Sequence, residues 1–538
     1  MANEPPAGVS SSDGGAGSAV TSGTELLATL TPEYHLEIET KLEVPGQSEL
    51  PDPLQHKAVR KSGLTSAAAP VVHHLDATYY DTDQLDLLRS KVTLRRRTGG
   101  DDAGWHLKLP ADKRSADAAA RTEVQLPLNR GGRVPKELAD LIRGTARGHA
   151  LKAVARLRNE RTVVRLLDAA GSPAVEIADD AVTATRPGNE AVECWREVEV
   201  ELLSGTADQL AATVLALTDA GAWPAGRSSK LSRALPLPAA STAGRKGKSA
   251  AAAVLTALGR HRDTLIVADR ALRQAAPNAV HDARACARRI RSVLRVFEAL
   301  FGEEPTRSLR DHLQDFGGTL SAARDIEVFG SRLAAGLAEE PEEFGRFAAT
   351  VIDRELSRRS TAAMADIRRR LNAASYLQLL RDLDEFLLHP PLTRRASKPA
   401  TVELAVQLGR SWRRVRATAD AALGDPSSAD ALHAVRKSAK TMRYAAESTI
   451  AVFGDDAVLF AAALEEVQEV LGEFQDAQIT ARLLVELAAD PDTDGASGFT
   501  FGRLHAVEQA IAAGVLDDFA DAWDRVDDAE MSIVLTNS

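Results

Sequence analysis

Residues 35–44 read His-Leu-Glu-Ile-Glu-Thr-Lys-Leu-Glu-Val, HLEIETKLEV, and the fold of the first half of the chain turns on which way this stretch faces. Side chains alternate along an extended strand, so Glu37, Glu39, Lys41 and Glu43 share one face, and Leu36, Ile38 and Leu42 share the other. If the charged face looks into water, this is an amphipathic edge strand. If it looks into an enclosed space, carboxylates beside an ammonium make a place for a divalent cation and the anion it carries.

The following segments repeat the pattern. KVTLRRR alternates Lys91, Thr93, Arg95 and Arg97 with Val92 and Leu94, and WHLKL alternates His106 and Lys108 with Trp105, Leu107 and Leu109. RTEVQL sets Arg121, Glu123 and Gln125 against Val124 and Leu126. VEIADD carries Glu176 and Asp180, and REVEVEL sets Glu197, Glu199 and Glu201 against Val198, Val200 and Leu202. Roughly eight such strands are enough to close a barrel around one small ligand. With the charged faces inward the lumen is a tunnel of acids and bases, tolerable only with dense cross-pairing or a bound metal and polyanion. Helices would then cover the apolar outside, among them Asp208 to Ala220, stopped at Gly221.

Taken in order, Glu37-x-Glu39-x-Lys41, YYDT at 79–82, Arg95-x-Arg97, Lys108, Arg121-x-Glu123, Arg161, Glu176-x-x-x-Asp180, Glu197-x-Glu199-x-Glu201 and Ser229-Lys230 resemble the CYTH domain of triphosphate tunnel metalloenzymes. The resemblance covers residues 34–238 and implies an eight-stranded antiparallel tunnel that binds a triphosphate together with Mg2+ or Mn2+. It implies that Lys41, Arg95, Arg97, Lys108, Arg161 and Lys230 hold phosphate oxygens. It assigns Glu37, Glu39, Glu197, Glu199 and Glu201, with Glu123, Glu176 and Asp180 as further candidates, to metal or to orienting water. Phosphoryl transfer asks mainly for positioning and charge neutralisation, which suits that division. His106 is expected to be a neutral wall residue. The choice of Arg161 over Arg156 or Arg158 stays open, because alternation breaks in KAVARLRNERTVVRL and a bulge there changes the parity.

Beyond about residue 250 alanine, leucine and arginine dominate and prolines punctuate segments of helical period. VHDARACARRIR, from Val280, and LHAVRKSAKTMR, from Leu432, form an internal repeat. His281, Arg284, Arg288 and Arg291 correspond to His433, Arg436, Lys440 and Arg443, with Lys437 beside Arg436. Each set falls on one helical stripe, where a packed bundle would show leucines. Asp325 and Asp476 follow at matching distances, as caps or as partners of the stripe arginines. Two pseudo-symmetric helical bundles with facing stripes would form a cationic groove for a linear polyanion. This half resembles the CHAD domain, which implies binding of inorganic polyphosphate and targeting to polyphosphate granules.

The expected class is therefore α+β: an eight-stranded antiparallel β tunnel barrel with covering helices, then an all-α domain. The divisions are a disordered leader at 1–33, rich in Gly, Ser and Ala, the tunnel domain at 34–238, a linker at 239–250 and the helical domain at 251–530. A net charge of −10 over 538 residues argues against a protein that coats nucleic acid. So do an aromatic content of 4%, which leaves few stacking platforms, and stripes without base-reading amides. Two cysteines, Cys194 and Cys286, give no disulfide framework and fit a reducing cytoplasm. No apolar run is long enough for a membrane span, and no signal peptide is evident. Three functions are compatible with these residues: hydrolysis of inorganic triphosphate or short polyphosphate beside a polyphosphate-binding module, a non-catalytic granule component, or action on nucleoside or thiamine triphosphates, cyclisation included. The histidines are expected to strengthen anion binding as pH falls. Oligomeric state is not legible in the chain.

Overall fold

The computed structural model describes residues 33–45, 49–110, 120–226, 229–235, 237 and 247–528. The expected leader, except Glu33, and most of the expected linker lie outside the described residues, as do the last two residues of the expected helical domain.

Among the described residues ten strands form the first domain: β1 (Glu33–Glu43), β2 (Leu64–Ala67), β3 (Val71–Asp81), β4 (Thr93–Thr98), β5 (Gly104–Pro110), β6 (Ala120–Pro127), β7 (Lys152–Asp168), β8 (Pro173–Arg186), β9 (Asn189–Leu202) and β10 (Trp223–Pro224). Eight close a barrel in the order β1-β6-β5-β4-β3-β7-β8-β9 and back to β1, every pairing antiparallel, while β2 and β10 flank β7 and β1. Closure depends on β1, whose first half pairs with β6 up to Ile38 and whose second half pairs with β9 from Glu39. The opening stretch of the sequence is thus the seam of the barrel.

The outer face is apolar and covered. Five helices accompany the barrel: α1 (Lys57–Lys61), α2 (Asp86–Arg89), α3 (Lys136–Leu141), α4 (Ala207–Asp219) and α5 (Lys230–Ala234). Leu42, Val175, Val198 and Val200 pack against Leu210 and Leu217 of α4. This helix starts at a capping box between Thr206 and Gln209 and ends before Gly221, whose φ of 101° few other residues tolerate. Leu94, Trp105, Leu107 and Val124 are covered by Leu138 and Ile142 at α3. The third element does something else. Leu231 and Ala234 of α5 pack with Ala77, Tyr79, Leu157, Val182 and Ala184, and Tyr79 and Lys230 line the lumen. Helix α5 therefore plugs one end of the barrel, against the C-terminal halves of β3 and β8.

The second domain is helical: α6 (Ala250–Arg273), α7 (Ala279–Val296), α8 (Glu303–Ala338), α9 (Glu342–Asn372), α10 (Ala374–Leu388), α11 (Ala400–Gly424), α12 (Ala429–Ser448), α13 (Ile450–Phe453), α14 (Asp455–Ala488) and α15 (Gly495–Asp528). The repeat relates α6, α7, α8 and α9 to α11, α12, α14 and α15. The two halves share a core, since Leu255, Ile290 and Leu320 belong to the same buried cluster as Leu404, Val435 and Leu464. A turn of the barrel domain docks on this helical surface. Arg147, with φ 53°, donates to Asp384 at 2.8 Å, Arg381 donates to the Arg147 carbonyl at 2.7 Å, and Arg273 donates to the Asp140 carbonyl at 3.1 Å. A Cβ on Gly148 would lie 2.7 Å from Leu377 Cδ1, so the close approach needs glycine.

Candidate functional site

The inward faces of the barrel enclose a cavity of about 490 Å³. Antiparallel register stacks its residues in rows across β1, β9 and β8: Glu39–Glu201–Glu176, then Lys41–Glu199–Ala178, then Glu43–Glu197–Asp180. Alternation within each strand and pairing between neighbouring strands thus bring these acids together. Lys108 of β5 reaches Glu37 at 2.5 Å, and Lys41 pairs with Glu39 at 3.2 Å and with Glu199. Arg161 grips Asp180 through two hydrogen bonds of 2.8 and 2.7 Å and Glu199 through one of 2.5 Å. The register of β7 on β3 is unbroken from Arg156 to Val163, so ordinary alternation puts Arg161 inside and leaves Arg156 and Arg158 on the exposed side, where they bind Asp76; the one shift, at Tyr79/Tyr80, lies N-terminal to all three.

Ser229 caps α5 and thereby sets Lys230 at the first helical position, pointing into the lumen. Its ammonium lies 2.8 Å from Asp180, 2.8 Å from Glu197 and 2.7 Å from Glu199. Oxygens of these three carboxylates all lie within 4.8 Å of one another, a spacing that a single divalent cation can share. At the row nearer the open end, burial pushes the Glu201 carboxyl up to about 7, with Glu39 and Glu176 adding repulsion against the opposing pull of Lys108. Glu176 also pairs with Arg165 at 2.9 Å. Burial likewise pushes Glu37 up to about 8, partly offset by Lys108. Against the cost of burial, Lys230, Lys41 and Arg161 hold Glu199 well below the usual carboxylate range. Hard oxygen donors whose charge is costly without a cation fit a metal of the Mg2+ or Mn2+ class.

On the opposite wall the cations outnumber their partners. Arg95 lies 3.9 Å from Glu123 and donates to the Tyr79 hydroxyl at 3.5 Å, yet the buried Nε atoms of both Arg95 and Arg97 lack a hydrogen-bond partner among the described residues. Buried donors without acceptors are rare, so these aim at something that supplies oxygen. Glu123 is occupied by the wall itself, accepting from Gln125 at 2.8 Å and meeting His106 Nδ1 at 3.0 Å. His106 is 1% exposed and burial pushes it down to about 4, a wall residue outside the cavity lining. In YYDT, Tyr79 lines the cavity, whereas Asp81 is fully buried and accepts from the backbone amides of Thr82, Leu87 and Leu88, so it serves the fold. The sequence reading missed Asp102 of the β4–β5 turn, which also lines the cavity.

A second cavity, of about 430 Å³, lies in the helical domain. Arg284, Arg288 and Arg291 of α7 and His433, Arg436, Lys437 and Lys440 of α12 line it. Burial and mutual repulsion push Arg284, Arg288 and Arg436 down from the ordinary guanidinium value, and push the Lys440 ammonium to about 6. Two of the expected residues are elsewhere. His281 is exposed and outside the lining, and Arg443 turns away to pair with Glu465 and with Glu447 at 3.5 Å. Two were missed. Arg295 continues the α7 stripe one turn beyond Arg291, a signal present in the sequence, while Arg414 comes from α11, outside the repeated motif.

A closed antiparallel barrel with an acid–base lumen, followed by duplicated helices around a cationic cleft, defines a two-domain class. The family comparisons agree: the CYTH domain model matches residues 35–222 and the CHAD domain model matches residues 256–485. The chain belongs to the proteins that join a CYTH domain to a CHAD domain. It is 34% identical over 519 residues, 93% of this chain and 98% of that protein, to an uncharacterized protein of Mycobacterium tuberculosis. Among solved structures, PptA from Streptomyces chartreusis aligns with TM-score 0.45 and 21% identity over 52% of this chain and all of that one. The CHAD domain from the plant Ricinus communis aligns with TM-score 0.43 and 24% identity, over 51% of this chain and 91% of that one. CYTH family members are typically triphosphatases or cyclases, and the tunnel enzymes are metal dependent.

Proposed function

We propose that the tunnel hydrolyses inorganic triphosphate or short polyphosphate with Mg2+ or Mn2+, and that the helical groove holds polyphosphate. The observation that carries this reading is the juxtaposition of partnerless buried guanidinium donors on Arg95 and Arg97 with the carboxylates of Glu37, Glu39, Glu176, Glu199 and Glu201 in the same cavity, where Glu199 also converges with Asp180 and Glu197, which are buried outside the lining. Lys41, Arg95, Arg97, Lys108, Arg161 and Lys230 bind and orient phosphate oxygens. Asp180, Glu197 and Glu199, with Glu37, Glu39, Glu176 and Glu201, hold the metal or position water, and Glu123 braces the cationic wall. A bound divalent cation would neutralise phosphate charge and acidify the attacking water. Asp180, Glu197 and Glu199 would hold such a cation, and Lys230, now paired with all three, would then be available to phosphate oxygens. An all-phosphate substrate is favoured because Tyr79 is the one aromatic ring in the described lining, which leaves a nucleobase little to stack on.

In the groove the ligand is recognised by charge and spacing alone. The domain divisions at 34–238, 239–250 and 251–530 go with this reading, as does a cytoplasmic protein held on polyphosphate granules. No helix among the described residues is long and apolar enough to cross a membrane. Tethering raises the effective concentration of chain ends near the tunnel. The test is phosphate release by the purified chain from triphosphate, long-chain polyphosphate, ATP and thiamine triphosphate, each with Mg2+ and with Mn2+, beside a Glu39→Ala control. Metal-dependent release, fastest from triphosphate and lost in the control, is expected. Release from ATP exceeding that from triphosphate would overturn the substrate assignment, and no release at all would overturn the hydrolase.

A further inference from the structure

The turn between β4 and β5 reads Thr98-Gly-Gly-Asp-Asp-Ala-Gly104 and points away from the α5 plug, since β4 runs antiparallel to β3, from Leu94 beside Tyr80 at the plugged end to Thr98 beside Asp76 at the middle of β3. Gly99 and Gly100 both have positive φ, 80° and 76°. A Cβ on Gly99 would fall 2.1 Å from the His74 carbonyl oxygen, so the turn is pressed against β3. The backbone is tied from inside as well: His106 Nε2 donates to the Asp102 carbonyl at 2.9 Å. This placement carries the Asp102 carboxylate onto Arg97, with which it forms an ion pair.

The two partners differ in burial. Arg97 is 4% exposed, and no other carboxylate among the described residues is within ion-pair distance of it, while Arg95 and Arg161 repel it. The Asp102 side chain is 49% exposed. Nor does the contact satisfy the guanidinium, because Nε and one terminal nitrogen of Arg97 lack an aligned hydrogen bond. A buried cation with spare donors is thus covered by a half-wet carboxylate on a turn that points away from the plug.

Resting on the tunnel being the phosphate site, we propose that Asp102 is a built-in competitor for the outermost phosphate position on Arg97, and so sets the affinity for short phosphate chains. Two arrangements alternate. With Asp102 inward the mouth is electrostatically closed; with Asp102 outward its solvent-exposed side accepts it at little cost, and Arg97 takes a phosphate oxygen instead. A chain held deeper in the lumen by Lys41 and Arg161 drives the exchange, whereas an anion too short to span these groups does not. Apparent affinity is the intrinsic affinity multiplied by the fraction of molecules with Asp102 outward. An ion pair this exposed holds the inward state by a factor of about three to five.

The experiment is calorimetric titration of tripolyphosphate with Mg2+ into the full chain carrying Arg284→Ala, Arg288→Ala, Arg436→Ala and Lys440→Ala, so that the groove contributes little. Adding Asp102→Asn is expected to tighten binding about threefold to fivefold. Adding Asp101→Asn, which makes the same charge change on the exposed neighbour, is expected to stay within about twofold. In an Arg97→Ala background Asp102→Asn should give no gain. A gain in affinity cannot come from misfolding. If Lys41→Ala abolishes binding but Asp102→Asn binds no tighter than Asp101→Asn, the competitor role is wrong and the tunnel reading stands. If Lys41→Ala binds as the parent does, triphosphate is not in the tunnel and both fall.

Discussion

The tunnel and the groove are both rich in cations, but they carry them differently. In the tunnel, Lys41, Lys108, Arg161 and Lys230 each touch at least one carboxylate. In the groove, Arg284, Arg288, Arg291, Arg295, Arg414, Lys437 and Lys440 have no ion pair among the described residues, and Asp325 and Asp476 stand behind Arg284 and Arg436 beyond pairing distance. Cross-paired buried charges cost less and are fixed in place, which gives geometric selectivity. Unpaired cations crowded together repel, so an arriving polyanion relieves strain wherever along its length it binds. On the proposed function, the tunnel is suited to positioning a particular short segment, and the groove to holding many equivalent ones.

The largest effect should come from separating the two. Lys41→Ala removes a cation that touches acids of two rows and should lower triphosphate turnover about 10²–10³-fold, with long-chain polyphosphate binding within about twofold. Replacing Arg284, Arg288, Arg436 and Lys440 together by alanine should do the reverse, weakening polyphosphate binding at least about a hundredfold at physiological salt and flattening its dependence on salt. Parallel turnover and filter-binding assays on both variants read this directly. Equal loss of both properties in either variant would show that the sites are not independent.

A smaller effect follows from crowding alone. Burial and the guanidinium groups of Arg436, Arg288 and Arg284 hold the Lys440 ammonium near 6, opposed by Asp476. A bound polyanion favours the charged form and raises that value, so binding takes up a proton. Affinity should therefore rise as pH falls from 8 to 6, by at most about tenfold per unit, and level off below 6. Lys440→Arg keeps the charge throughout and should remove this slope while preserving affinity at pH 6. Identical slopes in the two proteins, measured at constant ionic strength, would assign the titration to another group. The histidines are weaker candidates, because burial together with neighbouring cations pushes His433 below its ordinary value, and His281 lies outside the cavity lining.

What could be seen in the chain beforehand follows the reach of periodicity. Alternation in β1, β5 and β9 told which residues share a face, and eight such strands told how they close, so Glu39, Glu201 and Lys108 could be placed on the inside. The stripe repeated in α7 and α12 announced a groove in the same way. Periodicity says nothing about what meets a face from elsewhere in the chain. The α5 plug is five residues long and carries no repeat, Asp102 reaches Arg97 only because two glycines take positive φ, and Arg414 enters from a helix without the motif. The pKa shifts were hidden for a related reason: Lys440 has an ordinary sequence neighbourhood, and its burial is a property of the packed domain.

The smallest expected effect tests the repeat itself. By sequence Arg443 is the counterpart of Arg291, and the two should contribute equally to a symmetric groove. In the fold they do not. Arg291 lines the cavity and makes one hydrogen bond, of 3.5 Å, to Gln314, whereas Arg443 is 5% exposed, pairs with Glu465 and Glu447, and lies over the Tyr444 ring at 4.8 Å. Glu447 also holds Arg289 at 3.3 Å, so Arg443 is neutralised by acids, whereas Arg291 has no ion pair among the described residues. Arg443→Met, which keeps the packed stem, should change polyphosphate affinity by less than about twofold, while thermal unfolding moves to lower temperature because Glu447 and Glu465 lose a partner. Arg291→Met should weaken binding severalfold and leave the unfolding temperature nearly unchanged. If both variants lose the same affinity, the groove is used symmetrically and the bound chain crosses both halves; if only Arg291→Met does, duplication left one copy for binding and turned the other into a strut.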